Sequence, residues 1–226
     1  MSAILESPLL YLAMTIGIFS GFTLLKDKTK QGWINPFLFT IIVIVSVLIA
    51  FDIPYKTYQK GGSFISMFLT PVTSLLALSI YRERKKIKEN LLPILLGTTV
   101  GSLTSIASVI ILSNIFGVNE TIKLSLVTKS VTTPISLALT NMIGGIEGIA
   151  AIGVMVAGLM GNVFAPMLAK ILKLDSVSEK GIAIGTSSHA LGTAKALKIG
   201  EDVGALSSIS LSFSGIITVI AIMIIY

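Results

Sequence analysis

Long apolar runs separated by short polar loops organise this chain. The runs cover residues 8–25, 36–51, 63–81, 91–116, 122–142, 147–172 and 202–226. Several of them reach the length of about 20 residues that a helix needs to cross a bilayer. A mean hydropathy of +0.92 and a charged fraction of 12% agree, because soluble domains carry about 25% charged residues. The pattern predicts an all-α, polytopic membrane protein with about 7–8 hydrophobic segments, forming a single integral membrane domain over residues 1–226.

The run at 122–142 differs from the others because it contains Lys129, several hydroxyl residues and Pro134. A charged side chain at membrane depth costs a few kcal/mol and usually faces protein or water. Pro134 removes a backbone N–H group and favours an extended conformation at Thr133. A broken helix survives in lipid only where its freed backbone groups find partners or line a cavity. We therefore expect a re-entrant or half-helical segment beside a polar site.

The basic loops predict the orientation of the chain in the membrane. The two strongest follow the first and third runs, at 26–30 and 82–88, and both are expected on the cytoplasmic side. This distribution explains the net charge of +6 without a nucleic acid partner. If every run crossed once, the loop with Lys170, Lys173 and Lys180 would lie outside, whereas a re-entrant segment at Pro134 places it inside. Both arrangements fit a multi-pass protein of the inner (cytoplasmic) membrane.

A second polar stretch, Gly185-Thr-Ser-Ser-His-Ala-Leu-Gly-Thr-Ala-Lys195, is too polar for a helix that faces lipid. Glycine and small hydroxyl residues expose backbone groups, and a half-helix N-terminus with free N–H groups suits a carboxylate. The two polar stretches together predict a site for a small hydroxy- or keto-carboxylate. Its expected residues are Lys129, Ser130, Thr132, Thr133, Asn141, Ser187, Ser188, His189 and Thr193. The expected helix-breaking residues are Pro71, Pro134, Gly185 and Gly192.

Each of these side chains also has a structural explanation. Lys129 could snorkel to the membrane surface. The hydroxyls of Thr132 and Thr133 could bond to helix carbonyls one turn earlier, and His189 could be a packed histidine whose ring is satisfied. These alternatives remain open at the level of the sequence.

Internal similarity points to repeats. Thr70-Pro71 followed by Leu76-Ala-Leu-Ser79 resembles Thr133-Pro134 followed by Leu137-Ala-Leu-Thr140. Paired interrupted segments are typical of transporters built from repeats, and we expect repeats over about 36–116 and 122–226. Glycine pairs four residues apart predict close helix packing: Gly17/Gly21, Gly97/Gly101, Gly144/Gly148 and Gly181/Gly185.

Both polar stretches resemble the LrgB/CidB family of bacterial membrane proteins. The matching strings are Lys129-Ser-Val-Thr-Thr-Pro134, Ile143-Gly-Gly-Ile146 and Gly185-Thr-Ser-Ser-His-Ala-Leu-Gly-Thr-Ala194, and Leu69-Thr-Pro71 extends the match. Thr70 stands where the family pattern has glycine. The resemblance implies a holin-like or antiholin-like protein, linked to murein hydrolase export and lysis, with a smaller LrgA/CidA-type membrane partner. It also implies kinship with the plastidial glycolate/glycerate translocator and with bacterial proteins associated with pyruvate uptake.

No enzyme template is evident in the sequence. Ser187 and His189 lack the Gly-x-Ser-x-Gly elbow of a hydrolase, no P-loop is present, and the chain has no cysteine and one histidine. We expect a protein without catalytic activity, cofactor or metal. The leading hypothesis is a secondary transporter of small monocarboxylates that works by alternating access, with a homodimer as the expected assembly. The competing hypothesis is a holin-like pore or lysis regulator, and an enzyme with a lipid-side substrate is a distant third.

Overall fold

A computed structural model describes residues 7–30, 36–68, 71, 78, 81–82 and 84–226. Every regular element in these ranges is a helix, as the sequence predicts. The helices are α1 (Pro8–Thr29), α2 (Pro36–Ala50), α3 (Tyr55–Ser66), α4 (Arg84–Glu89), α5 (Leu91–Ile115), α6 (Glu120–Val127), α7 (Thr133–Met142), α8 (Glu147–Ile171), α9 (Val177–Ile199) and α10 (Glu201–Ile225). They form two compact units, Met1–Val72 and Thr73–Tyr226.

The first unit contains α1, α2 and α3. Tyr11 is fully buried, and its ring meets the ring of Tyr58 edge to face, with 6.0 Å between the ring centres. Gly61 lies so close to α1 that a Cβ atom there would be 2.5 Å from the carbonyl oxygen of Pro8. The tyrosine contact and the close glycine approach hold α3 against α1. The second unit carries both polar stretches of the sequence.

The described residues confirm part of the predicted set of hydrophobic segments as helices able to cross a membrane. Among the described residues four helices are long and apolar enough, within Pro8–Thr29, Leu91–Ile115, Glu147–Ala165 and Glu201–Ile225. Pro36–Ala50 is a shorter apolar helix. Most of the predicted run at 63–81 lies outside the described residues. The run at 122–142 is interrupted, so it is no single span.

The long helices of the second unit bury polar residues and expose apolar ones. On α5, Thr98 and Ser102 are fully buried, whereas Leu92 and Val100 are exposed. The hydroxyl of Ser102 bonds to the hydroxyl of Ser214 on α10 at 2.9 Å. This arrangement is the reverse of a soluble domain. It is typical of helices that pack through small and hydroxyl residues and turn leucine and valine toward lipid.

Helices α6 and α7 form the first hairpin, residues 120–142. The Thr128 hydroxyl bonds to the hydroxyls of Ser136 at 2.8 Å and Thr140 at 2.7 Å, and Ser125 Oγ accepts the N–H of Ile146 at 2.7 Å. The chain therefore folds back on itself after a break at residues 128–132. With 8 and 10 residues, the two half-helices are only about 12 and 15 Å long.

Helix α9 is the second hairpin, residues 177–199. His189 has non-helical dihedral angles (φ 46°, ψ −146°) that divide the helix in two. The halves lie side by side, because a Cβ atom at Gly192 would be 3.3 Å from Ile184. Ser207 of α10 contacts both halves: its backbone approaches Gly185, and its hydroxyl bonds to Thr193 at 2.9 Å.

The two hairpins enter the second unit from opposite ends. An ion pair of 3.0 Å between Lys86 and Asp202, and a hydrogen bond of 2.7 Å from Ser178 to Asn90, join the starts of α5, α9 and α10. We call this the basic end, residues 84–93 with 170–180 and 199–203. The first hairpin has its base at the other end, where Lys123 donates to Asn114. The lysine-rich loop at 170–180 thus shares an end with the basic loop at 84–88, as the re-entrant interpretation requires.

A helix followed by a hairpin occurs twice in opposite directions. Helix α5 and the first hairpin cover 91–142, and α8 and the second hairpin cover 147–199; α5 and α8 each have 25 residues. This pairing differs from the repeats predicted at 36–116 and 122–226, which stay a prediction. Thr70, half of the Thr70-Pro71 pair behind that prediction, lies outside the described residues. Pro71 is helical and exposed, and its neighbours lie outside the described residues, so its expected helix-breaking role stays a prediction.

Candidate functional site

A cavity of about 860 Å³ lies in the second unit, between α5, the tip of the first hairpin and the first half of the second hairpin. On α5 its wall extends from Pro93 at the basic end to Ser105, a distance of about 18 Å along the helix. Its walls also include polar side chains from three other segments: Lys129, Ser130, Ser176, Ser178, Glu179, Thr186 and Ser187. The cavity therefore connects the basic end with the break in the first hairpin.

Lys129 is the only cation among the described residues that line this cavity. Its Nζ donates to the hydroxyls of Ser105 and Ser130, each at 3.3 Å, and the two serines are hydrogen-bonded to each other. Lys129 is half-buried and forms no ion pair with an acidic residue in the described part of the chain. The carboxylate of Glu179, which also lines the cavity, accepts the N–H groups of Asp175 and Ser176. An anion in this cavity would meet an ammonium group free to pair with it.

His189 occupies the tip of the second hairpin and is 3% exposed. The charge and backbone of Lys129 act electrostatically on its ring, so the two hairpin tips lie near each other. Neither ring nitrogen makes a hydrogen bond of ordinary geometry with a described residue. Because the backbone of Lys129 also interacts with the ring, this geometry does not decide between a ligand-binding histidine and the packed histidine that the sequence left open.

Other unpartnered hydroxyls surround the two breaks. Thr132 Oγ1 and Thr186 Oγ1 are buried and have no hydrogen-bond partner among the described residues; Thr186 lines the cavity. A buried polar group without a partner costs about 1–3 kcal/mol. Together with the His189 ring, these hydroxyls provide donors and acceptors that a polar ligand or water can satisfy.

Glycines of α8 allow both hairpin tips to approach that helix. A Cβ atom at Gly153 would lie 3.3 Å from the Cβ of Lys129, and one at Gly161 would lie 2.2 Å from the hydroxyl oxygen of Ser188. On α5, Gly97 faces Ile182 and Gly101 faces Thr186 in the same way. The close packing predicted for Gly97/Gly101 is thus confirmed, as it is for Gly181/Gly185 against α10. At Gly17, Gly21, Gly144 and Gly148 no atom of another described segment would lie within 4 Å of an added Cβ atom.

Each hairpin tip also places the N-terminus of a half-helix near the centre of the unit. Helix α7 begins at Thr133 after the extended residue Thr132, whose side chain makes no capping hydrogen bond. The second half of α9 begins after His189. The first turn of a helix has free N–H groups and a partial positive charge, which favour an anion. The two half-helix N-termini and the ammonium group of Lys129 therefore favour the same kind of ligand, an anion.

The remaining predicted residues have more varied surroundings. Ser187 lines the cavity, but its hydroxyl donates to the carbonyl of Ala183 at 2.7 Å, as the back-bonding alternative predicts. Ser188 is buried and bonds to Ser187 at 3.0 Å, and Thr193 bonds to Ser207. Asn141 is exposed at the other end of α7, where it donates to Glu147 at 2.7 Å. The structure does not bring Asn141 to the cavity.

The helix breaks also differ from those predicted. Helix α9 continues through Gly185 and Gly192 and is interrupted at His189, so the expected helix-breaking role of these two glycines is wrong. Their lack of a side chain serves close packing instead. Pro134 lies in the first turn of α7, where proline is tolerated because its missing N–H would have no helical partner. The break precedes it, and Thr132 rather than Thr133 is the extended residue.

Two residues of the site were missing from the prediction. Ser105 holds the Lys129 ammonium, and Thr186 presents an unpartnered hydroxyl beside the cavity. Ser105 follows Gly97 and Gly101 at intervals of four residues, so all three share one face of α5. That spacing is the signal that could have identified Ser105.

Comparison with known proteins agrees with the membrane architecture. Residues 15–226 match the sequence model of the LrgB-like family. The Bacillus subtilis protein YxaC, which is uncharacterized, is 32% identical over 92% of this chain and 91% of its own length. The holin-like protein CidB of Staphylococcus aureus is 30% identical over 95% of this chain and 93% of its own length. No solved structure matches. The chain belongs to the LrgB-like family of membrane proteins.

Proposed function

We propose that this protein is a secondary transporter of small monocarboxylates of the glycolate, glycerate, pyruvate or lactate type. The proposed location is the bacterial cytoplasmic membrane. The observation that carries the proposal is the half-buried ammonium group of Lys129, which lines a cavity without an acidic partner among the described residues. A charge withdrawn from water is costly unless it is paired. A carboxylate substrate would supply the missing counter-charge.

The proposed binding mode uses both hairpin tips. The substrate carboxylate pairs with Lys129 and accepts a hydrogen bond from Ser130. The neighbouring hydroxyl or keto oxygen bonds to Thr132, Thr186 or the His189 ring, each of which has an unpartnered buried polar atom in the described part of the chain. The two half-helix N-termini, at Thr133 and after His189, add partial positive charge. His189 is the candidate carrier of a coupled proton, because it is the one histidine of the chain and lies at the tip of the second hairpin.

The proposed transport cycle follows from the shape of the cavity. The cavity runs from Lys129 to the basic end, which the positive-inside rule assigns to the cytoplasm. Beyond Ser105, on the side away from the basic end, the helices pack through a buried apolar cluster. The cluster includes Ile106, Val109, Val127 and Ile222. Alternating access then requires this cluster to open when the cytoplasmic opening closes.

A holin-like pore or regulator of murein hydrolase export is the second candidate. It is favoured by the name of the Staphylococcus relatives, which are holin-like proteins. In either role a smaller LrgA/CidA-type membrane protein is the proposed partner, and a homodimer is the proposed assembly. A large pore has no evident use for one ammonium group held by two serines, which is why the transporter is placed first.

Uptake by proteoliposomes tests the two candidates. The wild-type protein, Lys129→Ala and Lys123→Ala are reconstituted with and without the proposed partner. Lys123 is a matched control, because it belongs to the first hairpin but is paired with Glu120 at 2.6 Å. We expect saturable uptake of labelled glycolate or pyruvate that Lys129→Ala abolishes and Lys123→Ala retains, without leakage of a bulky dye. Dye leakage that is independent of Lys129 would favour the pore. Absence of both fluxes with the partner present would contradict the transporter and the pore.

A further inference from the structure

A second cavity, of about 570 Å³, lies at the basic end beside the second hairpin. Lys170, Lys173 and Lys180 line it, together with the acidic Asp175 and apolar residues that include Leu174. Leu174 also lines the first cavity, so the two cavities are neighbours. This cavity has no part in the proposed transport site.

The charge of this cavity is positive. Three lysines face one aspartate, and Lys180 Nζ donates to the backbone carbonyl of Asp175 at 3.1 Å. The nearby carboxylate of Glu179 caps the start of α9 through the N–H groups of Asp175 and Ser176. Neither Lys170 nor Lys173 forms an ion pair with a residue in the described ranges. The chemistry of the cavity therefore suits a phosphate group.

The surroundings of the cavity favour a phosphate that is attached to acyl chains. Leu168, Ile171 and Leu172 are exposed at the end of α8, directly beside Lys170 and Lys173. The preceding part of this helix is one of the candidate membrane spans. Lysines at such a position lie where the hydrocarbon region meets the headgroups, and basic pockets between membrane helices bind anionic headgroups. A free phosphate would use the lysines but would leave the apolar surface without a partner.

We propose that this cavity binds the headgroup of an anionic phospholipid, with the phosphate at Lys170 and Lys173 and the acyl chains along the exposed end of α8. Lys180, a residue of α9 that is already bonded to the carbonyl of Asp175, also lines this cavity. The position of the cavity against the second hairpin links the lipid to the segment that also forms the wall of the transport site. The inference does not depend on the proposed transport activity.

The experiment measures lipid retention by the full-length protein. Purified protein in detergent is mixed with phosphatidylglycerol or phosphatidylcholine, and bound lipid is counted by native mass spectrometry. The variant is Lys170→Ala/Lys173→Ala. The matched control, Lys26→Ala/Lys28→Ala, removes two positive charges from the end of α1. Lys170→Arg/Lys173→Arg, which retains the charge, distinguishes lost binding from misfolding.

We expect one phosphatidylglycerol molecule to remain bound in preference to phosphatidylcholine. Its apparent affinity should fall about fivefold for each lysine charge removed, hence about 25-fold in the alanine variant. The control and the arginine variant should bind as the wild type does. Equal losses of phosphatidylglycerol affinity in the alanine variant and the control would overturn the proposal. Equal losses in the alanine and arginine variants would overturn it as well, and so would equal retention of phosphatidylglycerol and phosphatidylcholine by the wild type. Displacement of the lipid by inorganic phosphate at comparable concentration would assign the site to a free anion instead.

Discussion

Replacing Gly161 with alanine would place a methyl group inside the tip of the second hairpin. The new Cβ atom would lie 2.2 Å from Ser188 Oγ, 2.3 Å from Ser188 Cβ and 2.9 Å from Ser188 Cα. Non-bonded heavy atoms prefer about 3.5–4.0 Å. Because a backbone atom is among those contacted, a side-chain rotation cannot relieve the clash and the tip itself has to move. Overpacking of this kind costs about 1–3 kcal/mol.

Thermal unfolding of the purified protein in detergent measures this cost. For a chain of this size, 1 kcal/mol shifts Tm by about 2–4 °C, so we expect Gly161→Ala to lower Tm by about 2–12 °C. Gly148→Ala is the matched control on the same helix, because Gly148 is exposed and has no atom within 4 Å of a built Cβ. Alanine is the better helix former by up to about 1 kcal/mol, so the control should leave Tm unchanged or raise it.

Uptake by proteoliposomes gives a second measurement of the same change. The displaced tip carries His189, so Gly161→Ala should also reduce carboxylate uptake, whereas Gly148→Ala should not. Equal Tm and equal uptake in the two alanine variants would refute the placement of the second hairpin against α8.

Two further predictions concern side chains around the first cavity. Ser105→Ala removes one of the two hydroxyls that hold the Lys129 ammonium. Because a hydrogen bond to a charged group is worth about 1.5 kcal/mol, KM for uptake should rise about tenfold while the maximal rate changes little. An unchanged KM would contradict this role of Ser105. The N–H group and hydroxyl of Ser176 lower the pKa of Glu179 from 4.5, so the charged carboxylate stabilises the fold at neutral pH and this contribution disappears as the pH falls below that value. Glu179→Gln should therefore lower Tm at neutral pH, and this Tm difference from the wild type should vanish under acidic conditions. A Tm difference that is independent of pH would contradict the stabilising role of the Glu179 carboxylate.

The first helix break could be predicted from the sequence because its signal is local. Pro134 cannot continue a helix from the residues before it, and Lys129 marks the neighbouring polar segment. The position still shifted by one residue, since proline is compatible with the first turn of a helix. Local chemistry therefore gave the existence of the break, while the fold-back of the hairpin depends on distant hydroxyls such as Thr140.

The second break has no such signal. His189 adopts a positive φ of 46° without being glycine, a conformation that costs free energy and persists only where the surroundings enforce it. Those surroundings are Gly161 on α8 and Ser207 on α10, which contact the two halves of the hairpin. Propensity and periodicity contain no information about these contacts. For the same reason the sequence does not distinguish the glycines of this segment, which serve close packing, from helix breakers.

Hydropathy alone does not distinguish a membrane span from a re-entrant hairpin in the second unit, for a related physical reason. A hairpin of two short half-helices can be as apolar as a span, because its sides pack against other helices and several of its hydroxyl groups are paired within the hairpin. The run at 122–142 is of this kind. Asn141 illustrates the consequence, because the fold-back places it at the opposite end of the half-helix from Lys129, next to Glu147.

Protection of a cysteine in the cavity would test most directly whether a carboxylate binds beside Lys129. The chain has no cysteine, so Ser187→Cys, at an exposed position of the cavity wall, would be the only thiol. Its alkylation rate is measured from the side of the basic end with and without glycolate or pyruvate, and again with Lys129→Gln added. The account predicts that the carboxylate slows alkylation severalfold and that Lys129→Gln removes this protection. Alkylation that is unaffected by carboxylates, or equally protected without Lys129, would contradict it.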